Sequence, residues 1–533
     1  MNMTKKIRIL ALALSALMML SACGGGGSST PAPSAPADGG VSTPPPVESS
    51  NATVEVKAPA NKDSLVVVVG TEPSGLDPQD LNMVTGFMIN KHIFDRLFVT
   101  DSEYNITPSL AETYEWVDDT TLRVKIREGV KFTDGDPLTA EDVVYTIKRA
   151  CEKPQSATAF GPFDAENTVA VDEYTVDIKT KYAYPNAITV LASGRAGIVS
   201  QKSIEEMGED AYGRAPVGSG KFKVVNWAAG DRIELTRNDE YWGEKPAYKD
   251  LTFRIITENA SRAIEVETGG ADIAFNISAE DLTRLKENPE INVVQGGSAT
   301  MNHIVINSVN FDTLKDVRVR KAMHMALDMN AIVQVAYKGN AQVASSLAPS
   351  VTTSYAQVGP ETYDPEGAKA LLAESGFDTS TEIKLNIYKN AQIEAVAEML
   401  CNMWNAIGLN VQIEMMDRAT MVTNNGQGKT PFYISSVTAS DGNIESVFRM
   451  WETASYGFTD NEDLRARITA AKGIMDDAER EKAYAELQRE CWDLHTVIPI
   501  CTADNIFATA GYVQGFEFQP DNSPDLSVIT FNK

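Results

Sequence analysis

The chain has 533 residues and a formal charge of −26, with 73 acidic against 47 basic side chains. Its length predicts two or three domains with substantial hydrophobic cores. Nucleic acid is disfavoured as a partner and so is broad docking on an anionic membrane, because both surfaces are bound through Lys and Arg.

The first residues have the order of a secretory signal. Three basic residues precede an apolar run over 9–20, and small residues lead to Cys23. The run is too short for a bilayer core, which takes ~20 apolar residues. Residues 20–23, Leu-Ser-Ala-Cys, followed by Gly24 resemble the lipobox of bacterial lipoproteins, whose cysteine is lipidated and becomes the first residue after cleavage. We therefore predict a signal peptide over 1–22 and a membrane anchor, such as palmitate, on Cys23.

A tether follows the predicted anchor. Residues 23–64 are rich in Gly, Ser, Pro and Ala, and such a segment buries too little apolar surface to offset the entropy of ordering. Its r.m.s. reach is roughly 35 Å by the square-root rule for flexible chains. We expect the rest of the protein to turn freely above the membrane.

The body begins with a strand and continues into an α+β region. Residues 65–69 form a β-branched run of the kind buried on both faces of a parallel or mixed sheet. Residues 122–126 alternate apolar and charged side chains, the pattern of a strand with one wet face. Thr139 with Asp142 has the spacing of a capping box that opens a helix. These patterns predict a compact α+β insertion over about 90–215.

Later in the chain, helices with clear caps alternate with strands. Helices are predicted to begin after Asp316 and after Asp364. Another helix is predicted to stop at Gly408 and lead into the alternating strand 409–415. A long helix over about 478–494 comes last before the terminal strands. The pattern is typical of helices packed on a sheet.

Four cysteines remain after Cys23. Cys151 and Cys401 lie on apolar helix stripes, where free buried thiols are expected. Cys491 and Cys501 are close enough in sequence to meet across a helix-to-strand turn, and an exported protein can form such a bond. We favour free thiols here as well, with the disulfide as the open alternative.

Motifs for catalysis or metal binding are missing from the sequence. None of the four histidines (His92, His303, His324 and His495) is followed by Glu, which excludes the HExxH zinc helix. Ser219 and Gly220 stand where a Walker A loop needs Lys and Ser or Thr. The mature body contains no CxxC, GxSxG or GxGxxG. We predict a binding protein without cofactor or resident metal; the alternative from another class is a secreted hydrolase.

Several segments match one family in order and spacing. They are 65–78, 108–112, 124–135, 139–143, 216–220, 316–328 and 363–369. Through them the chain resembles the extracellular solute-binding proteins of ABC importers, specifically family 5, whose members bind oligopeptides, dipeptides or nickel. The resemblance covers nearly everything from residue 65 to the C-terminus.

The resemblance implies an α/β fold and a place in the cell. The expected architecture is the two-lobed periplasmic-binding-protein type II fold, with mixed sheets, hinge strands and an extra α+β subdomain in the first lobe. The lobes would cover 65–300 and 301–495, and 496–533 would return to the first lobe. Implied partners are the permease and ATPase subunits of an ABC importer. We expect a monomer held by its lipid at the extracytoplasmic face of the cell membrane.

The implied ligand is a peptide trapped between the lobes, with a nickel chelate or another small solute of the same family as the alternative. In peptide-binding relatives, an aspartate for the ligand's amino terminus lies in the segment equivalent to 436–443. Here Ser440 takes that place, with Asp441 beside it. The alternative is that Asp441-Gly442 forms only a turn.

The resemblance suggests four further candidates for the cleft. Glu72 and Ser74 follow the first strand, at the edge where ligands bind open α/β sheets. Asn302 and His303 lie near the expected crossing between lobes, and His303 is the one candidate for a metal. The alternatives are that Glu72 only shapes its loop and that His303 lies on the wet face of a hinge strand.

Overall fold

The computed structural model describes residues 56–452 and 459–532. The predicted signal peptide, Cys23 and most of the predicted tether lie outside the described residues. Among the residues that are described, no helix combines the length and the apolar character needed to cross a membrane.

The first part of the body contributes strands to three sheets and has helices packed against them. In chain order its elements are β1 (Ser64–Val69), α1 (Val84–Ile93), β2 (Phe98–Thr100), β3 (Ile106–Pro108), β4 (Ala111–Asp118), β5 (Thr121–Ile126), α2 (Ala140–Glu152), α3 (Ala157–Phe160), β6 (Val169–Asp172), β7 (Thr175–Lys179), α4 (Ala187–Ala192), α5 (Gln201–Met207), α6 (Glu209–Arg214), β8 (Phe222–Ala228), β9 (Arg232–Arg237), β10 (Asp250–Ile255), α7 (Asn259–Glu267), β11 (Ile273–Ala274) and α8 (Leu282–Glu287).

The second part starts with the longest strand and is richer in helix. Its elements are β12 (Ile291–Ile306), α9 (Val317–Met325), α10 (Met329–Ala336), β13 (Ala341–Val343), α11 (Pro365–Ser375), β14 (Glu382–Tyr388), α12 (Ala391–Ala406), β15 (Asn410–Met416), α13 (Arg418–Gly426), β16 (Phe432–Thr438), α14 (Glu445–Glu452), α15 (Glu462–Lys472), α16 (Asp477–Asp493), β17 (Val497–Ala510), β18 (Val513–Gln514) and β19 (Thr530–Phe531).

One mixed sheet of 11 strands connects the two parts, in the order β15-β14-β16-β12-β17-β11-β1-β10-β9-β8, with β13 paired to β17. Strands from 382–438 make one end and strands from 64–274 make the other. β12 and β17 pair antiparallel between them, so these two long strands are the hinge strands of the predicted fold class. The prediction of an α/β fold with mixed sheets is confirmed.

β1 lies in the sheet as its sequence predicts. It pairs parallel with both β10 and β11. Leu65, Val67 and Val68 are 0% exposed, so the strand is buried on both faces. Its carboxyl end leads into the loop 71–78 and then to α1, which brings α1 to the edge of the sheet where ligands bind in α/β folds.

The α+β region forms a separate small sheet in the order β4-β5-β7-β6. Leu122, Val124 and Ile126 are fully buried against α2 and its neighbours. The backbone N–H of Thr139 donates to Asp142 at 3.0 Å, which completes the predicted capping box of α2. The predicted limits of the lobes and of this region remain predictions.

Two sequence expectations change in the structure. In β15, the apolar positions Ile413 and Met415 of the predicted alternating strand are 36% and 50% exposed, because β15 is the edge strand of the sheet. Cys151 is half-buried rather than buried. The remaining body cysteines are buried and free, including Cys491 and Cys501, so the disulfide alternative does not hold.

Candidate functional site

The candidate ligand site is a cavity of about 200 Å³ that draws its walls from distant parts of the chain. We call it the cleft. α1 and the residues after it line one wall, and the end of α4 with the turn that follows lines a second. The third wall is the loop after β16, completed by Asp521 and Ser523. Residues more than 400 positions apart in sequence therefore face one space.

Five charged side chains contribute to the lining of the cleft. Lys91, Arg96 and Arg195 supply three cationic groups, and Asp441 and Asp521 supply two carboxylates. The cationic excess is notable in a chain of net charge −26. Both signs lie within one small cavity, an arrangement that suits a ligand carrying both carboxylate and ammonium groups.

Burial makes the charges of these cations costly. It lowers the pKa of Lys91, although Asp521 counteracts this, and it lowers the pKa of Arg96. Burial also lowers the pKa of Arg195 to about 10. A buried cation is stabilised by an opposite charge brought close to it. An anionic group entering the cleft would therefore be attracted by all three.

Several polar atoms around the cleft have no hydrogen-bond partner among the described residues. They are Arg96 Nε, Arg195 Nε, the Ser193 hydroxyl and the Tyr104 hydroxyl, all of them buried atoms. The other ends of both guanidinium groups are fixed: Arg96 donates to the carbonyl of Ala192 at 2.8 Å and Arg195 to that of Leu81 at 3.1 Å. Because buried polar atoms rarely remain unpaired, this concentration of unpaired polar atoms around the cavity indicates a binding site.

Tyr104 joins the β2–β3 hairpin to the loop after β16. Its ring packs on Gly442, where an added Cβ would lie 2.2 Å from Tyr104 Cδ1. Gly442 has φ +67°, a left-handed conformation that also favours glycine. Burial, followed by the charges of Asp521 and Asp441, raises the pKa of the Tyr104 hydroxyl, which places that hydroxyl near the acidic part of the cleft.

The predicted residues Ser440 and Asp441 both line the cleft. Asp441 also shapes the turn proposed as its alternative role, since its carboxylate accepts the N–H of Asn443 at 3.2 Å and Gly442 N–H donates to the carbonyl of Ala439 at 3.0 Å. The two interpretations of Asp441 are thus compatible.

The other predicted residues lie outside the lining of the cleft. Glu72 accepts from Trp227 Nε1 at 2.8 Å and from the N–H of Gly230, as expected for a residue that shapes its loop. Ser74 is exposed, and its hydroxyl donates at 3.0 Å to Asn82, which does line the cleft. Ser74 is therefore one contact away from the cavity.

Asn302 and His303 do not line the cleft. Asn302 lines a different cavity of about 460 Å³ that is also lined by Tyr388, Arg418 and Ser436. His303 is 2% exposed, so it is not on the wet face of β12. Burial lowers its pKa to about 4. The cleft lining as described contains no histidine.

A smaller cavity of about 70 Å³ adjoins the cleft at Asp441 and Thr189. In its wall the buried carboxylate of Glu445, at the start of α14, accepts from Tyr184 at 3.1 Å and also from Asn186 and Tyr484. Burial raises the pKa of Glu445. This network ties α14 to the segment before α4, and so fixes two walls of the cleft relative to each other.

Sequence reasoning missed Lys91, Arg96, Tyr104, Arg195 and Asp521. A signal existed for the first two, because they are charged residues within the mostly apolar stretch 87–99. Arg195 and Asp521 occur in polar loops whose composition is ordinary. Only the folded chain shows that these loops meet at α1.

Comparison with known proteins identifies the family. The model of the bacterial extracellular solute-binding proteins, family 5, matches residues 105–458. The glutathione-binding protein GsiB of Escherichia coli (strain K12) is 29% identical over 480 residues, which cover 87% of this chain and 93% of that protein. The same protein of Salmonella typhi matches to the same extent.

Solved structures share the fold. The binding protein CtaP of Listeria monocytogenes superposes with a TM-score of 0.78 at 24% identity, covering 89% of this chain and 100% of that one. The binding protein DppA of Helicobacter pylori, in complex with the peptide STSA, gives 0.77 at 19% identity, covering 88% and 98%. With two thirds of its length matched by the family model, the chain belongs to the bacterial extracellular solute-binding proteins of family 5.

Proposed function

We propose that this protein captures short peptides outside the cytoplasm and delivers them to the permease of an ABC importer. The observation that carries the proposal is the cleft, in which three cationic side chains and two carboxylates face a cavity of about 200 Å³. A peptide has a carboxylate at one end and an ammonium group at the other, so it matches both signs of charge.

Each end of a peptide has candidate partners. Arg195 and Arg96 each have a guanidinium group with an unpaired Nε–H to offer a carboxylate, and Lys91 adds a third positive charge. Asp441 and Asp521 offer acceptors to an ammonium group, and Ser440 adds a hydroxyl where peptide-binding relatives have aspartate. The names of two similar proteins, which specify glutathione and the peptide STSA, point to the same class of ligand.

The proposal includes the means of attachment and the partners. Members of this family are extracytoplasmic binding proteins. The lipobox-like segment ending at Cys23 supports a lipid anchor, and the segment after it supports a flexible tether. Closure of two lobes joined by the hinge strands β12 and β17 would desolvate the peptide, and the monomer would then dock on the permease.

Blocked peptides test the charge complementarity. The protein starting after Cys23 would be titrated by calorimetry with a panel of di- to pentapeptides, and each binder would then be tested after N-acetylation and after C-amidation. Loss of one charge-assisted contact costs about 1.5–3 kcal/mol, so each modification is expected to weaken binding roughly 10- to 100-fold. Equal affinity for free and blocked peptides, or binding of sugars and no peptides, would contradict the proposal.

A further inference from the structure

A second group of chemically active side chains lies away from the cleft. It consists of His324 in α9, His495 in the turn between α16 and β17, and Glu361 in the loop before α11. One ligand atom from each lies within 4.8 Å of the other two. None of the three lines the cleft. We call this group the histidine cluster.

The spacing of the two histidines suits a shared cation. Nδ1 of His324 lies 3.1 Å from Nδ1 of His495. With zinc–nitrogen bonds of about 2.0–2.1 Å, two nitrogens in a tetrahedral site lie about 3.3 Å apart. The two imidazoles therefore need almost no movement to bind one ion. A direct hydrogen bond between the rings is the competing explanation of this short distance. The two explanations are distinguished by adding metal, because only a metal site binds the ion.

The surrounding structure holds the ligands in place. His324 and His495 are 3% and 4% exposed. The ring of Trp492 packs on His324 at 5.2 Å, and the N–H of His495 donates to the carbonyl of Trp492 at 3.0 Å. A Cβ at Gly359 would lie 2.4 Å from Trp492, so the loop that carries Glu361 packs closely on the same indole. Such rigid support favours a defined metal site.

The charges near the histidine cluster include two cations. Burial, followed by the positive charges of Lys321 and Arg320, lowers the pKa of His495. The guanidinium of Arg320 is held by three carbonyls, those of Leu494, Leu314 and Lys315. Glu361 supplies the negative charge and is half-buried, which leaves one side of the cluster accessible from solvent.

We propose that His324, His495 and Glu361 bind a divalent transition-metal ion, with Zn²⁺ as the best fit. Two imidazole nitrogens and one carboxylate oxygen are a ligand set that zinc accepts, with water as the fourth ligand. The ion would join α9, the loop before α11 and the turn into β17, which is a hinge strand. Its role is structural, and it is independent of the solute in the cleft.

Titration with Co²⁺ distinguishes a preformed metal site from weak binding at the protein surface. The protein starting after Cys23 would be stripped with chelator and titrated with Co²⁺, followed by competition with Zn²⁺. Binding of one equivalent with the intense visible absorption of four-coordinate Co²⁺, displaced by Zn²⁺, is expected. No uptake, or only the weak absorption of six-coordinate Co²⁺, would overturn the proposal.

Single substitutions test which side chains bind the metal ion. His495→Asn removes a ligand while keeping a residue that tolerates the left-handed φ of +49° at this position. Glu361→Gln is the gentler change, and Glu366→Gln, an exposed acid in nearby α11, is the matched control. We expect His495→Asn to abolish the four-coordinate spectrum and Glu361→Gln to weaken Zn²⁺ binding roughly tenfold or more. Unchanged binding in Glu361→Gln and in a folded His495→Asn protein would exclude these residues as ligands.

Discussion

Arg195 makes two contacts that position its guanidinium and keeps one donor unpaired. One N–H of its guanidinium holds the carbonyl of Leu81, its plane stacks on Phe87 at 4.7 Å, and Nε is left without a partner among the described residues. The first two contacts position the side chain. The remaining donor and the charge are what a ligand carboxylate would meet.

Arg195→Gln is expected to weaken binding of a peptide with a free carboxyl end by roughly 10- to 100-fold, because a charged hydrogen bond is lost. Arg195→Lys keeps the charge but lacks the planar guanidinium, so its peptide affinity should lie between those of the unchanged protein and Arg195→Gln. Calorimetry measures both, with Arg489→Gln on the exposed face of α16 as control. If Arg195→Gln weakens free and C-amidated peptides by the same factor, Arg195 does not bind the carboxylate.

His303 predicts a pH dependence of stability. Its folded pKa of about 4 is below the ordinary value because burial disfavours the charged ring. The unfolded chain therefore binds a proton that the folded protein excludes between pH about 6.5 and 4, and stability falls as pH falls through this window, by up to about 1.4 kcal/mol per pH unit.

Urea unfolding across pH 4.5–8 measures this effect. His303→Gln is expected to reduce the slope below pH 6.5 and leave the slope above pH 7 unchanged. Identical slopes for the two proteins at low pH would mean that His303 is protonated in the folded state.

His303 also shows the limit of prediction from sequence. Its strand was predicted, but the face on which His303 lies depends on helices packed from elsewhere.

Between elements, a buried ion pair fastens α2 to the loop after β1. Arg149 donates to Asp77 and to Gln79, the latter at 2.7 Å, and its side chain is 5% exposed. The sequence placed Asp77 in a loop segment shared with a family of binding proteins. Its partner is 72 residues away, so a local pattern could not reveal that this carboxylate supports the α+β region.

Arg149→Met would leave the carboxylate of Asp77 buried without its counter-charge. Removing one partner of such a pair costs about 3–5 kcal/mol, and we expect a loss of that order in the free energy of unfolding. Lys148→Met changes the adjacent, exposed position of the same helix and should have little effect. Equal stability of the two variants would show that the pair contributes little.

The loop after β16 depends on glycine at residue 442. Gly442→Ala combines left-handed strain with collision against Tyr104, whereas Gly129→Ala, at φ +77°, carries the strain but meets no described atom within 4 Å. Both variants should lose about 1 kcal/mol or more of stability. Only Gly442→Ala should also weaken peptide binding, because it displaces the loop that holds Asp441; unchanged affinity would separate this loop from the site.

At the scale of elements, helix caps and the alternation of apolar and polar residues in strands were the features best predicted from sequence. Asp316 and Asp364 accept the backbone N–H groups of Arg318 and Gly367 and begin α9 and α11 as predicted. The strand β15 was also predicted, but two of its apolar side chains are exposed because edge position is a property of the whole sheet. Local chemistry therefore predicts where elements start and stop better than what covers them.

Across the whole molecule, the cleft exists because β12 and β17 bring two groups of strands into one sheet. The charge of −26 gives no hint that the cavity is lined by three cations, since net charge averages over the surface. Family resemblance predicted the fold. The particular side chains in the cleft come from loops whose meeting is fixed only by the complete sheet.

Native mass spectrometry of the protein starting after Cys23 tests the central claim most directly. The folded protein would be weighed, then denatured, and the small molecules released would be identified. Co-purifying short peptides, present at about one per protein and depleted in an Arg195→Gln preparation, are the predicted result. Release of a sugar or a metal chelate in their place, together with no binding of peptides added to the emptied protein, would contradict the account.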